Sequence, residues 1–387
     1  MMIHLAFITH NVIPGDGQGR VNFELARYFL LRGATVTLFA DKVDRRLLEM
    51  GASWVPVHTG PLGEAVDLYK VWRFRELSDR ILATMDHLFD VIMGCGVVTR
   101  FPHTVNAVHF VHGTWLRSPY HPARQSRHPR ALYQKLFSQL NAEWEQEAFI
   151  QARQIVAVSE MVRDELIAVG VPPERIEVIV NGVDLAEFHP GRADRGRLGL
   201  PEGVPLALFV GDIRSTIKNL DGVLHALRQV PALHVAVVGR LPGSPYPALA
   251  EQLGVADRVH FLGFRRDVAS LMRAVDFFVL PSRRDSCPLV LLEAMASGLP
   301  VIVSRQVGTA NLVGEAGFVI ENPEDHEALA QAMAMLTREY DLRREMGRKA
   351  RAVAEEYSWE RMASRYAALF ERLMGRKFPL PELYTVE

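Results

Sequence analysis

Two successive series of short apolar runs, each run followed by a stretch with apolar residues at helical spacing, constrain this chain more than any other feature. The first series opens with residues 3–9, then a helical pattern over 21–32, then another apolar run over 35–40, which is a β-α-β unit. Further strands are expected at 54–57, 91–93, 105–110 and 155–159, with helices around 66–88 and 131–151. Strands alternating with helices predict a parallel sheet covered on both faces. The second series runs through strands at 206–210, 235–239, 259–262, 277–280, 301–303 and 317–320. Its helices begin at Lys218, near Tyr246, at Asp267 and at Cys287, and helices continue to the C-terminal region. The expected fold is therefore α/β, with two doubly wound parallel-sheet domains. Such sheets bind ligands at the carboxyl ends of their strands, so two facing edges are expected to make one cleft.

The pattern breaks near Asn181-Gly-Val-Asp184, and residues 190–205 are rich in Gly, Pro and Arg. The boundary is placed there, giving a first domain of residues 1–184 and a second of 185–358. A final amphipathic helix over 359–375 is expected to rejoin the first domain, and the linker is expected to act as a hinge. With 387 residues, 49% hydrophobic, and 44 Lys and Arg against 45 Asp and Glu, the chain is neither disordered nor a nucleic-acid coat. Two cysteines, Cys95 and Cys287, make no disulfide framework and suit a reducing compartment. The first apolar run has no basic leader and is too short for a signal segment, and nothing approaches the ~18 uninterrupted apolar residues of a membrane span. A cytoplasmic location is expected, with any membrane contact peripheral.

The most informative segment is Phe277-Phe-Val-Leu-Pro-Ser-Arg-Arg-Asp-Ser-Cys-Pro-Leu-Val-Leu-Leu-Glu-Ala-Met-Ala-Ser-Gly-Leu-Pro-Val-Ile302. It reads as strand, polar loop, helix and second strand. Pro288 suits the first helical position, which leaves the N–H groups of Leu289 and Val290 to face an anion with the positive end of the helix dipole. Glu293 lies one turn further along the same face, where two carboxylate oxygens match two ribose hydroxyls. Asp285, on the loop before the helix, could reach a sugar beyond the phosphates. The bland alternative is a capped surface helix whose acids complement its dipole.

Asp285-x7-Glu293, continued by Glu293-Ala-Met-Ala-Ser-Gly-Leu-Pro-Val-Ile302, resembles the E-x7-E signature of the retaining glycosyltransferases of family 4, which have the GT-B fold of two Rossmann-like domains. The resemblance extends through Asn181-Gly-Val-Asp184, Val210-Gly-Asp-Ile-Arg-Ser-Thr-Ile-Lys218, Phe261-Leu-Gly-Phe264 and Tyr357-Ser-Trp-Glu360. It implies that Glu293 binds the donor ribose and Asp285 contacts the donor sugar, although the family usually has glutamate at the latter position. Ser286-Cys-Pro288 likewise departs from the usual Phe-Gly. Arg214 and Lys218 correspond to the family's diphosphate-binding cations. The chemistry agrees, since a departing nucleoside diphosphate builds negative charge that two fixed cations stabilise without proton transfer. Asp212 stands where many members have the arginine. The backbone of a loop over 263–266, with Gly263 and Phe264, is expected at the nucleobase.

Gly15-Asp-Gly-Gln-Gly-Arg20 is read as a loop between the first strand and first helix, open to close approach by a phosphate or sugar. In a nicotinamide dehydrogenase Asp41 would bind a ribose, but Arg20 replaces the third glycine of that fingerprint. In the transferase reading Gly17 and Gly19 face the donor phosphates. His109-Phe-Val-His112-Gly113 ends a strand, and by resemblance His112 sits near the reacting sugar while His109 is a buried, satisfied strand residue. No histidine spacing or Asp-x-Asp pair suggests a metal, and no cofactor is expected.

Between Thr114 and Ala142 there is no Asp or Glu, yet Arg117, Arg124, Arg127, Arg130 and Lys135 occur there with Tyr120, Tyr133 and Phe137 interleaved. A solvated loop competes here with a surface for an anionic acceptor or anionic membrane. The expected activity is a retaining, metal-independent transfer of a hexose-type sugar from a nucleotide-diphosphate donor to a glycan or glycolipid acceptor, in cell-surface polysaccharide or glycolipid synthesis. A GT-B epimerase would need a general base rather than an acceptor surface, and a non-catalytic nucleotide-sugar-binding protein would have no need to keep Arg214, Lys218, Glu293 and His112 together.

Overall fold

The computed structural model describes residues 2–15 and 17–378, so Asp16 of the glycine-rich segment lies outside the described residues. The chain divides into two compact units, one of Met1–Asn181 with Trp359–Glu387, the other of Gly182–Ser358.

The first unit is built on a seven-stranded sheet in the order Ser53–Pro56, Thr35–Ala40, His4–Ile8, Val91–Cys95, His103–Val108, Ala152–Ala157, Ile176–Val178, with every pairing parallel. Leu5, Ala6, Phe7 and Ile8 are all fully buried, the continuous apolar run of a strand covered on both faces. The strand order reverses between His4–Ile8 and Val91–Cys95, which opens a crevice at their carboxyl ends. The helix Trp359–Met374 belongs to this unit, where Phe370 stacks on Phe29 at 5.4 Å.

The glycine-rich segment differs from its expected form: Gly17 and Gly19 lie in the first turn of the helix Gly17–Leu31, not in a loop ahead of it. The strand expected over 105–110 is His103–Val108, so His109 lies beyond it and is half-buried rather than enclosed in the sheet. The helical stretch expected at 66–88 is the helix Asp67–Met85 followed by the 3-10 turn Asp86–Leu88, with a separate short helix, Gly60–Ala65, ahead of it.

The second unit carries a six-stranded sheet, Val259–Gly263, His234–Val238, Leu206–Val210, Phe277–Leu280, Val301–Ser304, Gly317–Ile320, again parallel throughout. Its order reverses between Leu206–Val210 and Phe277–Leu280. The loops leaving those two strands carry Lys218 and Asp285, so the topology alone brings these residues to one edge.

The Gly/Pro/Arg-rich stretch at 190–205 is part of this unit and not a free linker. Arg195 anchors it by donating to the carbonyls of Ala274 and Val204, each at 2.7 Å, and to Asp276 at 3.0 Å. The unit is closed instead where Val183 bridges Ser358 and its N–H donates to the Tyr357 carbonyl at 2.9 Å. Among the described residues no helix is long and apolar enough to cross a membrane, and no group of three His, Cys, Asp or Glu could hold a metal ion.

Two glycines let the ends of Leu206–Val210 and its neighbour His234–Val238 meet beside the reversal. A Cβ on Gly239 would lie 2.4 Å from the carbonyl oxygen of Gly211, so the Leu206–Val210 and His234–Val238 strands could not leave the sheet this close together. Gly239→Ala is expected to cost about 1–3 kcal/mol through overpacking, a fall of roughly 2–12 °C in the melting temperature of a unit this size. Calorimetry showing an unchanged transition would contradict this account of the strand ends.

Candidate active site

The residues expected at a donor are assembled around the loop that follows Leu206–Val210. The chain leaves at Gly211, where a Cβ would come within 3.2 Å of Cγ of Lys218, so glycine makes room for the lysine stem. A 3-10 turn, Thr216–Lys218, then ends at Asn219, which at φ 60 is the one non-glycine positive-φ residue among the described residues. Three hydrogen bonds hold this conformation. Asn219 Nδ2 donates to the carbonyls of Pro281 (3.0 Å) and Pro323 (2.7 Å), and Oδ1 accepts from the Gly222 N–H at 3.1 Å. A left-handed asparagine costs free energy that only such over-determined surroundings offset, and the constraint fixes Lys218 immediately before it.

Lys218 Nζ forms an ion pair with Asp285, so two residues singled out from the sequence meet directly. The Asp285 backbone is also pinned. Its N–H donates to Gln306 at 3.0 Å, and its carbonyl accepts from Gly308 at 2.7 Å. Arg214 is held differently. Its guanidinium makes a two-pronged contact with Asp212 at 2.9 and 3.2 Å, in the open, and the bond to Arg214 holds the Asp212 carboxyl below its ordinary range. Asp212, the departure from the family pattern, thus occupies the fork that was assigned to the diphosphate.

Beneath both loops lies Arg283, which is buried and was not identified from the sequence. It donates to Asp221 at 2.9 and 2.6 Å, to Glu324 at 2.6 and 3.0 Å, and to the Thr216 carbonyl at 2.6 Å, while its own N–H donates to Ile217 at 2.8 Å. Burial alone would lower its pKa, but the bonds to Asp221 and Glu324 overcome that and hold it above the ordinary arginine value. The Tyr246 hydroxyl, at 3.3 Å from Asp221 and 3.2 Å from the Ser215 carbonyl, completes the cluster.

The third component is the helix Leu289–Ala296. Pro288 precedes it as the capping residue with extended backbone (ψ 117), rather than occupying the first helical position, because its carbonyl already accepts from the Leu291 N–H at 3.1 Å. Leu289 and Val290 therefore open the helix, ahead of the intrahelical ladder. Glu293 sits half-buried one turn on, among the buried Leu291, Leu292, Ala294, Met295 and Ala296. At the outer strand, Gly263 turns the chain at φ +70 and leaves Phe264 64% exposed, with the Arg240 guanidinium 5.9 Å from its ring centre.

In the first unit His112 begins a single helical turn, His112–Trp115, and Glu145 holds it from the long helix Pro129–Gln151. Both Glu145 oxygens accept from the His112 backbone N–H, at 2.9 and 2.8 Å, and Oε1 lies 2.6 Å from Nδ1. Glu145 went unnoticed in the sequence. The available signal was an acid on the helix face otherwise made of Ala131, Ser138, Asn141, Ala148 and Phe149. Gly19 is buried and Gly17 exposed in the same unit. Asp41 pairs with His58 at 2.9 Å.

The basic segment is ordered into Pro122–Gln125 and the start of Pro129–Gln151. Arg117, Arg124, Arg127, Arg130 and Lys135 are all exposed, beside exposed Leu132 and Leu136. Its aromatics serve the interior instead: the Tyr133 hydroxyl accepts from the Leu68 N–H at 3.2 Å, and Phe137 packs edge-on to His112 at 5.8 Å.

Two doubly wound units, one with paired charges and a helix N-terminus at its strand reversal, define the GT-B class of glycosyltransferase folds. Residues 15–187 match the family described as Glycosyltransferase Family 4, and residues 191–353 match Glycosyl transferases group 1. The chain belongs to these glycosyltransferases. A D-inositol 3-phosphate glycosyltransferase of Mycobacterium tuberculosis is 35% identical over 240 residues, which is 58% of this chain and 49% of that one. The chain thus spans about half the length of the curated relatives it matches. Among solved structures, sucrose-phosphate synthase from Thermosynechococcus elongatus superposes with TM-score 0.79 at 20% identity, covering 96% of this chain and 99% of that one. WaaG, a glycosyltransferase involved in lipopolysaccharide biosynthesis, gives 0.75 at 22% over 96% and 100%. Anabaena HepE in complex with UDP and glucose gives 0.71 at 22% over 96% and 100%. These likenesses establish the fold.

Removing Arg283 tests the architecture of the loops that carry Lys218 and Asp285. Arg283→Ala leaves Asp221 and Glu324 without their cation, and a loss of about 3 kcal/mol is expected, the low end for a broken buried pair because Glu324 is partly open to water. Arg283→Lys should recover little, since an ammonium cannot bind two carboxylates in a fork. Urea unfolding with an unchanged midpoint for either variant would show that the cluster does not hold these loops.

Proposed function

We propose that the protein is a retaining, metal-independent glycosyltransferase that moves a hexose-type sugar from a nucleotide-diphosphate donor to a glycan or glycolipid acceptor in cell-surface polysaccharide or glycolipid synthesis. The observation that carries this reading is the meeting of Lys218 and Asp285 at the strand reversal of the second unit. Lys218 takes the diphosphate, with the N–H groups of Leu289 and Val290 and, once released from Asp212, Arg214. These positive groups stabilise the charge of the leaving nucleoside diphosphate with no metal required. Glu293 takes the ribose hydroxyls and Asp285 the transferred sugar, while Gly263 and Phe264 flank the base. His112, with Gly17 and Gly19, serves from the first unit. The solved complexes of HepE with UDP and glucose support a donor of this class, and the involvement of WaaG in lipopolysaccharide biosynthesis supports a cell-surface product.

The row Arg117, Arg124, Arg127, Arg130 and Lys135, beside exposed Leu132 and Leu136, supports an anionic acceptor or anionic leaflet and a peripheral, cytoplasmic location.

A thermal-shift screen of uridine, guanosine and adenosine diphospho-sugars tests the donor class. A ligand at a hundredfold its Kd should add ~2.7 kcal/mol of stability. Glu293→Ala should weaken that ligand by about 1.5–3 kcal/mol, and turnover should survive EDTA. Unchanged affinity in the folded variant removes Glu293 from the ribose site, and loss of activity restored by magnesium removes metal independence.

Replacing Arg124, Arg127 and Arg130 by serine should raise the acceptor KM or release the protein from anionic vesicles, at about 1 kcal/mol per cation near the leaflet, with donor affinity unchanged. Full acceptor kinetics together with full vesicle binding at low salt would make the segment a solvated surface.

A further inference from the structure

A buried carboxylate in the first unit is used entirely on one histidine. Glu145 is 2% exposed, and its only hydrogen bonds among the described residues are the three to the backbone N–H and Nδ1 of His112. Burying a carboxylate against a single histidine contributes little to stability, since an apolar pair of the same volume would serve as well or better. It does impose one arrangement of protons. An ionised carboxylate can only accept, so at 2.6 Å the neutral imidazole must carry its proton on Nδ1. The ring is fenced edge-on by Phe110 at 4.9 Å and Phe137 at 5.8 Å, and no hydrogen bond joins Nε2 to any described residue.

We propose that Glu145 is a positioning residue that locks His112 in the Nδ1–H tautomer, so that Nε2 offers a lone pair to a hydroxyl of the transferred sugar. The identity of that ligand rests on the transferase reading above, whereas the tautomer does not. The consequence is selective: a bare Nε2 attracts a hydroxyl hydrogen and repels a phosphate oxygen, so His112 recognises the sugar and not the diphosphate. The backbone bonds add the second half of the constraint. By binding the N–H of residue 112 as well as its ring, Glu145 fixes the start of the His112–Trp115 turn and the ring orientation together.

The substitution Glu145→Gln separates packing from proton direction. With its nitrogen at the place of Oε1 the amide donates to Nδ1, which drives the ring proton to Nε2 and turns the acceptor into a donor; with its oxygen there it keeps both the backbone N–H and the Nδ1–H bond. Two-bond proton–nitrogen correlation spectra of the full chain labelled with ¹⁵N-histidine, recorded where the ring is neutral, read this directly. His112 should show protonated Nδ1 in the wild type, with protonated Nε2 appearing in Glu145→Gln. With a nucleotide-sugar identified in the thermal-shift screen, kcat should fall on the order of 10²-fold with KM little changed, and Glu145→Asp should recover part of kcat and the Nδ1–H tautomer. A wild-type ring protonated on Nε2 overturns the proposal, and this holds even if Glu145→Gln fails to fold. So does a folded Glu145→Gln protein whose tautomer is reversed at full kcat, or whose kcat falls with the tautomer unchanged. Wild-type protein that transfers no sugar from any nucleotide donor would instead defeat the transferase reading, leaving the spectrum to decide the role of Glu145.

Discussion

The geometry of the loops that carry Lys218 and Asp285 depends on one buried guanidinium. Arg283 joins the 3-10 turn Thr216–Lys218, the start of the helix Leu220–Leu227 through Asp221, and the segment before the helix His326–Arg338 through Glu324. The turn and the first helix follow Leu206–Val210, Arg283 follows Phe277–Leu280 and Glu324 follows Gly317–Ile320, and nothing in their local conformation obliges these three stretches to meet. A planar fork with five donors can satisfy two carboxylates and a carbonyl at once, which an ammonium could not do. Once Arg283 is seated, the backbone bond from its N–H to Ile217 sets the height of the lysine turn against the strand that leads to Asp285.

The two cations above this node are each already partnered by a carboxylate, but in different surroundings. Arg214 and Asp212 pair in the open, where water screens the attraction and a pair of this kind contributes little. Lys218 and Asp285 pair in a more sheltered place, and the Asp285 backbone is fixed on both sides. In the transferase reading proposed above, an incoming diphosphate competes with a weak pair at Arg214 and shares Lys218 with a carboxylate that stays in place. That reading calls for a ligand that brings several negative oxygens and a group for Asp285 to accept from, which describes a sugar diphosphate better than an isolated phosphate.

Much of this was legible in the sequence because it is periodic. Continuous apolar runs such as Leu5–Ile8 read as strands covered on both faces, and the helical patterns between them favour parallel pairing. Lys218, Asp285 and Glu293 were singled out through the ordered motifs of the family the chain resembles, and the structure brings the first two together. What could not be read was choice of partner. Glu145 lies 33 residues from His112, and Arg283 lies 62 residues from Asp221. Period and propensity carry no information over such distances. The local errors have local causes: Pro288 fits either the capping or the first helical position, and glycines at 17 and 19 look like a loop although nothing forbids them in the first turn of a helix.

Both units thus use the same physical device. In each, a buried charged side chain directs its hydrogen bonds at a loop residue: Arg283 at the turn that ends at Lys218, Glu145 at the turn that begins at His112. Buried charges of this kind are an inefficient source of stability, because desolvation cancels most of the attraction. They are an efficient source of direction, because a guanidinium fork or a carboxylate accepts few geometries, whereas an apolar contact tolerates many. The sheets and helices of this chain could be held together by their apolar cores alone. The placement of a lysine to within hydrogen-bond distance of one carboxylate, and of one imidazole nitrogen against another, could not.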